Sequence, residues 1–300
     1  MLSVVEVPRP NPISTEVLVE VHACGVNPVD WKTRSGGGVS AWAGPPPFVI
    51  GWDVAGVVVE TGYGVTTLAP GDRVFGMPWF PREAGAYAEY VTAPSRQFAR
   101  IPEGMPFEEA AALPLAALTA WQALVDPASV QSGQSVLING ASGGVGHLAV
   151  QIAKARGARV IGTARSANHD FLRSLGADEC VDREAVEIQD SAENVDAVLD
   201  FAGRDHTRAE LDTMRDGGVL VAIANGASDE AKEEAERRGI RVAEILVEPD
   251  GHALNEIAQL AGDGRLKVSL DKVLPLDQAA KAHELLEAGG VRGKLVLAIR

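Results

Sequence analysis

Up to about residue 100 the apolar positions fall in short alternating or continuous runs: "EVLVEV" from Glu16, "DVAGVVVETG" from Asp53, "GDRVFGM" from Gly71 and "AYAEYVTAP" from Ala86. Pro/Gly punctuation such as "PRPNP" and "AGPPPF" separates them, which predicts an all-β domain with long loops. From about residue 130 the pattern changes. A strand "SVLING" is followed by a helix "GHLAVQIAKARG", a strand "RVIGTA" and a helix "ANHDFLRSLG". Then come "ECV", "VDAVLDFAG", "GGVLVAIA" and "IRVAEILVE". Strands alternating with helices of about 10–15 residues predict a parallel sheet wound with helices. Residues 251–300 hold two helical stretches and two strand-like runs, "KVLPL" and "GKLVLAI". The long apolar stretch Ala110–Val125 carries Pro114, Thr119 and Gln122 and reads as a buried helix. The charge run Asp229–Arg241 mixes both signs at helical spacing and reads as a solvated helix face.

Composition narrows the class. A chain of 300 residues is long enough for two domains, and 46% hydrophobic with 23% charged residues describes a globular protein. No run of about 18 apolar residues exists to span a membrane. The start "MLSVVEVPRP" lacks the basic region and apolar block of a secretory signal. Two cysteines, Cys24 and Cys180, make no disulfide framework and match no metal spacing, so a cytoplasmic location is expected. The formal charge of −14 disfavours nucleic acid and anionic membranes as partners.

The sharpest chemical signal is "NGASGGVG", between a strand and a helix. A helix N-terminus offers unpaired N–H groups and the positive end of its dipole, and glycines let the backbone approach a pyrophosphate closely. Against G-x-G-x-x-G, Ala141 takes the first position and Gly143 and Gly146 the others. Gly140, Ala141, Ser142, Gly143, Gly144, Val145 and Gly146 are therefore the expected dinucleotide cradle, with a plain βα turn as the alternative.

The end of the next strand discriminates between cofactors. An acid there would grip the ribose 2′-hydroxyl of NAD. Here Arg165 stands instead, and no acid follows until Asp170. An arginine suits the 2′-phosphate of NADP through a charge-assisted pair, with Ser166, Asn168 and His169 as further donors. NADPH is the expected cofactor; the alternative is that Arg165 is an ordinary surface residue.

At this point the chain resembles a known family, the medium-chain dehydrogenase/reductases, in their zinc-independent quinone oxidoreductase branch. The resemblance rests on "ACGVNPVDWKTRSG", "PPFVIGWDVAGVV", "GDRVFG", "GAYAEYV", "LPLAALTAWQAL", "NGASGGVG" and "VRGKLVL". It implies an α/β protein with a GroES-like β-barrel domain and a Rossmann-type doubly wound parallel sheet. The expected bounds are residues 1–112, completed by 251–300, for the first and 113–250 for the NADP-binding second, with the active site in a cleft between them. Relatives usually open with an extra strand and loop before "VVEVPRP"; the expectation is either that the start shown is late or that the domain lacks its first hairpin partner. The family also suggests a homodimer in which the "IRVAEILVE" strand pairs across subunits.

The zinc alcohol dehydrogenases of the same superfamily provide a contrast. Their metal-ligand positions fall at Asn27, Gly51-Trp52-Asp53 and near Leu115, none of which offers a thiolate or imidazole. No metal site is expected. Without a Lewis acid, alkoxide formation has no simple route. Reduction of an electrophilic small molecule, a quinone or an α,β-unsaturated carbonyl, needs mainly positioning and hydrogen bonds to its oxygen.

The resemblance puts Asn27 at the substrate-side polar position, Lys32 near a carbonyl or the nicotinamide ribose, and Thr119 near the nicotinamide. Each has a duller role available: a turn cap at Asn27, solvation at Lys32, a helix carbonyl for Thr119. Phe201, Ala202, Ala222 and Ile223 lie at the strand ends where the family holds the nicotinamide and its ribose. Asp30 and Asp53 read as structural, and Met77, Trp79 and Phe80 as candidate substrate walls. Two other readings remain open: a reductase for an enoyl thioester or other activated double bond, and a non-catalytic NADPH-binding sensor.

Overall fold

A computed structural model of the chain describes residues 2–201, 204–223 and 226–300, with all side chains except those of Arg204 and Asp205. In chain order, β1 (Glu16–Val26) leads into α1 (Pro28–Arg34) and a one-turn α2 (Ser40–Ala43). Next come β2 (Val54–Thr61), β3 (Arg73–Gly76), β4 (Tyr90–Pro94), β5 (Phe98–Arg100), α3 (Phe107–Ala111) and α4 (Pro114–Val125). The alternating region supplies β6 (Ser135–Asn139), α5 (Gly146–Ala155), β7 (Arg159–Ala164), α6 (His169–Ser174), β8 (Glu179–Asp182), β9 (Val195–Asp200) and α7 (Arg204–Glu210). It continues with β10 (Met214–Ala222), α8 (Asp229–Arg237) and β11 (Arg241–Glu244). The chain ends with α9 (Gly251–Gly262), β12 (Leu270–Pro275), α10 (Ala279–Ala288) and β13 (Lys294–Ala298).

These elements form two compact units. One comprises Met1–Leu118, Glu248–Gly264 and Val268–Arg300; the other comprises Thr119–Val247 and Arg265–Lys267. The first unit holds a seven-stranded sheet in the order β12-β13-β1-β2-β3-β5, with β4 added to β1. β1 is its hub, antiparallel to β13, β2 and β4. Val17, Leu18, Val19, Val21, Ala23 and Cys24 are all fully buried, so this strand meets protein on both faces. That is why "EVLVEVHACGV" reads as a nearly continuous apolar run rather than a strict alternation.

Two local departures from the sequence reading have clear causes. The stretch Ala110–Val125 is not one helix: α3 ends at Ala111 and Pro114 opens α4. A proline lacks the N–H of a helix interior but suits a first position. Just after β1, Pro28 likewise opens α1, with Asn27 before it at an extended φ of −130°. A seven-residue helix is too short for its apolar period to show among β-type runs.

The second unit is an all-parallel six-stranded sheet in the order β11-β10-β9-β6-β7-β8. Leu137, Ile161, Val198 and Leu220 bind its strands into one core. The strand order reverses beside β6, which pairs with β7 on one side and β9 on the other. A crevice at the carboxyl ends of strands opens at such a reversal. The charge run forms α8, capped where the Ser228 hydroxyl accepts the Ala231 N–H, and buries only Ala231 and Ala235. Residues 265–267 join this unit because Gln151 on α5 exchanges two 2.8 Å hydrogen bonds with the backbone of Lys267.

Candidate active site and dinucleotide cradle

The turn after β6 is built for close approach. Gly140 has φ +78°, a conformation open to glycine, and a Cβ on Gly146 would stand 2.3 Å from the Gly140 carbonyl oxygen. Ala141 is buried while Ser142, Gly143, Gly144 and Val145 are half-buried, so the turn has one anchored and one open side. The anchored side is tied to β7: Ala141 N–H donates to the Thr163 carbonyl (3.0 Å) and Gly140 N–H to the Thr163 hydroxyl (3.2 Å). Among the described residues, the N–H groups of Gly144, Val145 and Gly146 have no backbone acceptor. Free donors at the start of α5, on a glycine-lined turn, fit a pyrophosphate.

Around the turn, Asn168 donates to the Ser142 hydroxyl (3.2 Å). Arg165 is half-exposed, and its Nε lies 3.0 Å from Glu184 Oε1. The backbone N–H of Glu184, with Ser166, holds the Asp182 carboxyl below its ordinary range. His169 keeps Nε2 buried without a partner. A cavity of about 380 Å³ runs along the ends of β6, β7 and β8, lined by Asn139, Thr163, Val181, Arg183, Glu184 and His206 among others. Phe201 follows β9, its Cβ 3.7 Å from where a Gly140 Cβ would sit. Ala222 is buried, and Ile223 donates its N–H to the Asp200 carbonyl at 3.1 Å. Ala202 lies outside the described residues.

In the first unit, Asn27 is 2% exposed and occupies the centre of a buried polar cluster. Its backbone N–H donates to Asp30 Oδ2 (2.6 Å), and its side-chain Nδ2 to Asp53 Oδ2 (2.7 Å). Its Oδ1 accepts from Lys294 Nζ, which also donates to the Val26 carbonyl (3.2 Å) and stands 3.6 Å from Asp53 Oδ2. The other Asp53 oxygen accepts the Leu115 N–H at 2.7 Å. From Asp30 the network continues to the Tyr87 hydroxyl (2.9 Å) and from there to His283 Nε2 (3.3 Å). Cys24 is fully buried beneath, its thiol on the Ala86 carbonyl.

Burial dominates the electrostatics here. It raises Asp30 to about 7, against the Asn27 N–H that opposes it. It also raises Asp53, with Lys294 pulling the other way, and lowers Lys294 despite Asp53. Desolvation, with the Arg34 charge, lowers His283 to about 4. Each shift follows from removing water from a charged form.

Lys32 does not join this cluster; its Nζ lies 5.9 Å from the Trp31 ring centre, half-exposed. Thr119 is buried within α4 of the other unit. Met77 is fully buried and Phe80 packs edge-on against Trp52 at 5.5 Å, so both belong to the core rather than to an open wall. No motif in the sequence marks Lys294 as a member of this cluster. The signal available for Lys294 was a lone cation at the head of the apolar run "KLVLA", a charge whose burial demands a partner.

Comparison with known proteins gives two family matches: "Alcohol dehydrogenase GroES-like domain" over residues 13–103 and "Zinc-binding dehydrogenase" over residues 175–297. The mouse quinone oxidoreductase is 33% identical over 96% of this chain and 90% of its own length. The chain belongs to the quinone oxidoreductase branch of the medium-chain dehydrogenase/reductases. The quinone oxidoreductase of Coxiella burnetii superposes with a TM-score of 0.91 at 37% identity, over 99% of this chain and 94% of that one. The Escherichia coli quinone oxidoreductase, solved with NADPH, gives 0.85 at 28% identity over 98% and 95%. The two-part α/β architecture expected from the sequence, a GroES-like domain and a Rossmann-type sheet, is that of this oxidoreductase branch. At the positions expected for zinc ligands the chain carries Asn27, Trp52 and Leu115. Trp52 is buried with its indole N–H on the Arg82 carbonyl (2.6 Å), Leu115 is apolar, and the Asn27 amide bonds Asp53 and Lys294. Among the described residues no three His, Cys, Asp or Glu side chains converge as a metal site.

Proposed function

We propose that the chain is an NADPH-dependent oxidoreductase that reduces quinones or α,β-unsaturated carbonyls without zinc. The observation that carries this reading is the Asn27–Asp53–Lys294 cluster. The cluster offers neither thiolate nor imidazole, in a chain similar along nearly its whole length to quinone oxidoreductases.

When bound, the nicotinamide supplies a hydride. The remaining work falls to the chain. The turn Gly140–Gly146 holds the pyrophosphate with backbone donors, and Arg165, released from Glu184, holds the 2′-phosphate. The similarity to a structure solved with NADPH supports the choice of cofactor. Asn27 spends its Oδ1 on Lys294 and one N–H on Asp53, which leaves one amide N–H for a substrate oxygen. The ammonium on Oδ1 polarises the amide and strengthens that remaining donor. Lys32, nearer solvent, provides a proton or a second hydrogen bond. Thr119 orients the nicotinamide from its own unit.

The free cysteines, and the lack of any helix long and apolar enough to cross a membrane among the described residues, agree with a cytoplasmic enzyme. β11 is an edge strand, and Leu246 just beyond it is 51% exposed, which supports pairing of two copies along that edge. Turnover of NADPH with a panel of quinones and enones, in the presence of chelator, tests the function. Asn27→Ala should lower the rate by about 10²–10³-fold if its N–H acts as an oxyanion donor. A protein that turns over no acceptor in the panel is not the reductase described here.

A further inference from the structure

The glycine turn is held from below by a chain of side chains that ends in a pair of buried acids. Gly140 N–H donates to the Thr163 hydroxyl (3.2 Å), and that hydroxyl donates to Asn139 Oδ1 (2.8 Å). With its oxygen so engaged, Asn139 turns its Nδ2 to donate to Glu210 Oε1 at 2.7 Å. Each link fixes the next, because a hydroxyl that accepts from one side donates to the other. Asn139, Thr163 and Glu210 are all buried, Glu210 completely.

The other oxygen of Glu210, Oε2, is buried and receives no N–H or O–H donor. Asp200, itself fully buried, is a carboxylate neighbour of Glu210, near enough to act on it through charge and hydrogen bonding. Two carboxylates in contact and out of water do not both stay ionised. Burial first, and the Asp200 charge second, push the Glu210 carboxyl well above its usual range. A proton on Oε2, donated to Asp200, satisfies the orphan oxygen and leaves Oε1 as the carbonyl acceptor that Asn139 needs. Asn139 and Asp200 are direct partners across β6 and β9, so the pair sits at the strand reversal where the turn begins.

We propose that Glu210 is a positioning residue of the dinucleotide cradle: it holds a proton against Asp200 and, through Asn139 and Thr163, fixes Gly140 in the geometry that receives the pyrophosphate. The proposal rests on the reading of this turn as the cofactor site. The shared proton matters for charge as well as shape. It leaves one negative charge rather than two beneath a turn that must attract an anion.

Two variants of nearly the same size separate positioning from filling. Glu210→Gln keeps a carbonyl acceptor for Asn139 and an N–H donor for Asp200; Glu210→Leu keeps neither. Two measurements are made on each: the dissociation constant of NADPH, and amide hydrogen exchange of residues 139–147 in protein without cofactor. Glu210→Gln should bind NADPH within about 2-fold of the parent, whereas Glu210→Leu should bind about 10-fold more weakly and exchange faster in the turn. Thr163→Val cuts the same chain one link nearer Gly140 and should reproduce both changes, which covers the case in which Glu210→Leu does not fold. Parent-like binding and exchange in Glu210→Leu or Thr163→Val, or a Gln variant as weak as the Leu one, would overturn the proposal. If the parent binds no NADPH, the cofactor reading fails, and the exchange measurement alone still decides whether Glu210 holds the turn.

Discussion

Lys294 donates its Nζ hydrogen to the Oδ1 of Asn27, a residue 267 positions earlier in the chain. The same ammonium is the counter-charge of Asp53, and both ions are buried. Removing one of the two leaves an uncompensated charge in the core. Lys294→Met should therefore destabilise the chain by about 3–5 kcal/mol, and adding Asp53→Asn should recover a large part of the loss. Chemical unfolding of the two single variants and the double variant checks this. Strictly additive losses would show that the two ions do not depend on each other.

The proposed 2′-phosphate role of Arg165, which rests against Glu184 at 3.0 Å, makes cofactor choice testable. NADPH should bind more tightly than NADH by about 1–3 kcal/mol, the value of a charge-assisted contact. Arg165→Glu should erase or reverse the difference. Glu184→Gln should widen it, because the guanidinium no longer has to leave a carboxylate. Isothermal titration with both cofactors decides the matter, and equal affinities in the parent would rule out the 2′-phosphate role.

Stability should carry two opposed pH dependences. Asp30, raised to about 7, holds a proton in the folded chain that the unfolded chain releases above about 4. Its contribution is complete at low pH and is lost as pH rises towards 7. His283, lowered to about 4, refuses a proton that the unfolded chain takes up below about 6.5. Its contribution is complete above that pH and is lost as pH falls towards 4. At about 1.4 kcal/mol for each tenfold change in proton affinity, each amounts to a few kcal/mol. The two groups meet through the Tyr87 hydroxyl and largely cancel between pH 4 and 6.5. Relative to the parent, Asp30→Asn should gain stability with rising pH across this window and His283→Leu should lose it. Urea midpoints that share one slope in all three proteins would contradict the assignment.

Elements built on a long apolar period could be read directly from the sequence. "EVLVEV" and the strand–helix alternation after residue 130 produced β1 and the parallel sheet, and the glycines of "NGASGGVG" announced a turn that needs a positive φ at Gly140. What escaped depends on partners distant in sequence. Lys294 heads a strand that looks like any other, and only the antiparallel pairing of β13 with β1 brings it to Asn27. Glu210 ends the charged segment "RDHTRAE", which has the composition of a solvated face. Its burial follows from α7 packing over the sheet beside Asp200, a relation no local pattern carries. Likewise Met77 and Phe80, expected as loop residues of a substrate wall, are buried, Phe80 edge-on against Trp52.

Metal content follows from the ligand positions. With Asn27, Trp52 and Leu115 in place of thiolates and imidazole, purified protein should contain no stoichiometric zinc, and chelator should leave reduction rates unchanged. Elemental analysis that finds one tightly held zinc per chain would remove the basis for a zinc-free reaction.

Direct hydride transfer to an electron-poor acceptor leaves an isotopic trace in the product. Metal-free protein is mixed with NADPH in which both hydrogens at nicotinamide C4 are deuterium and with an α,β-unsaturated ketone, and the product is examined by mass spectrometry. Direct transfer places one deuterium on the β-carbon of the saturated ketone, with NADPH oxidised in equal amount and a proton from solvent on the α-carbon. Unlabelled product, or oxidation of simple primary alcohols with no reduction of any quinone or enone, would contradict it.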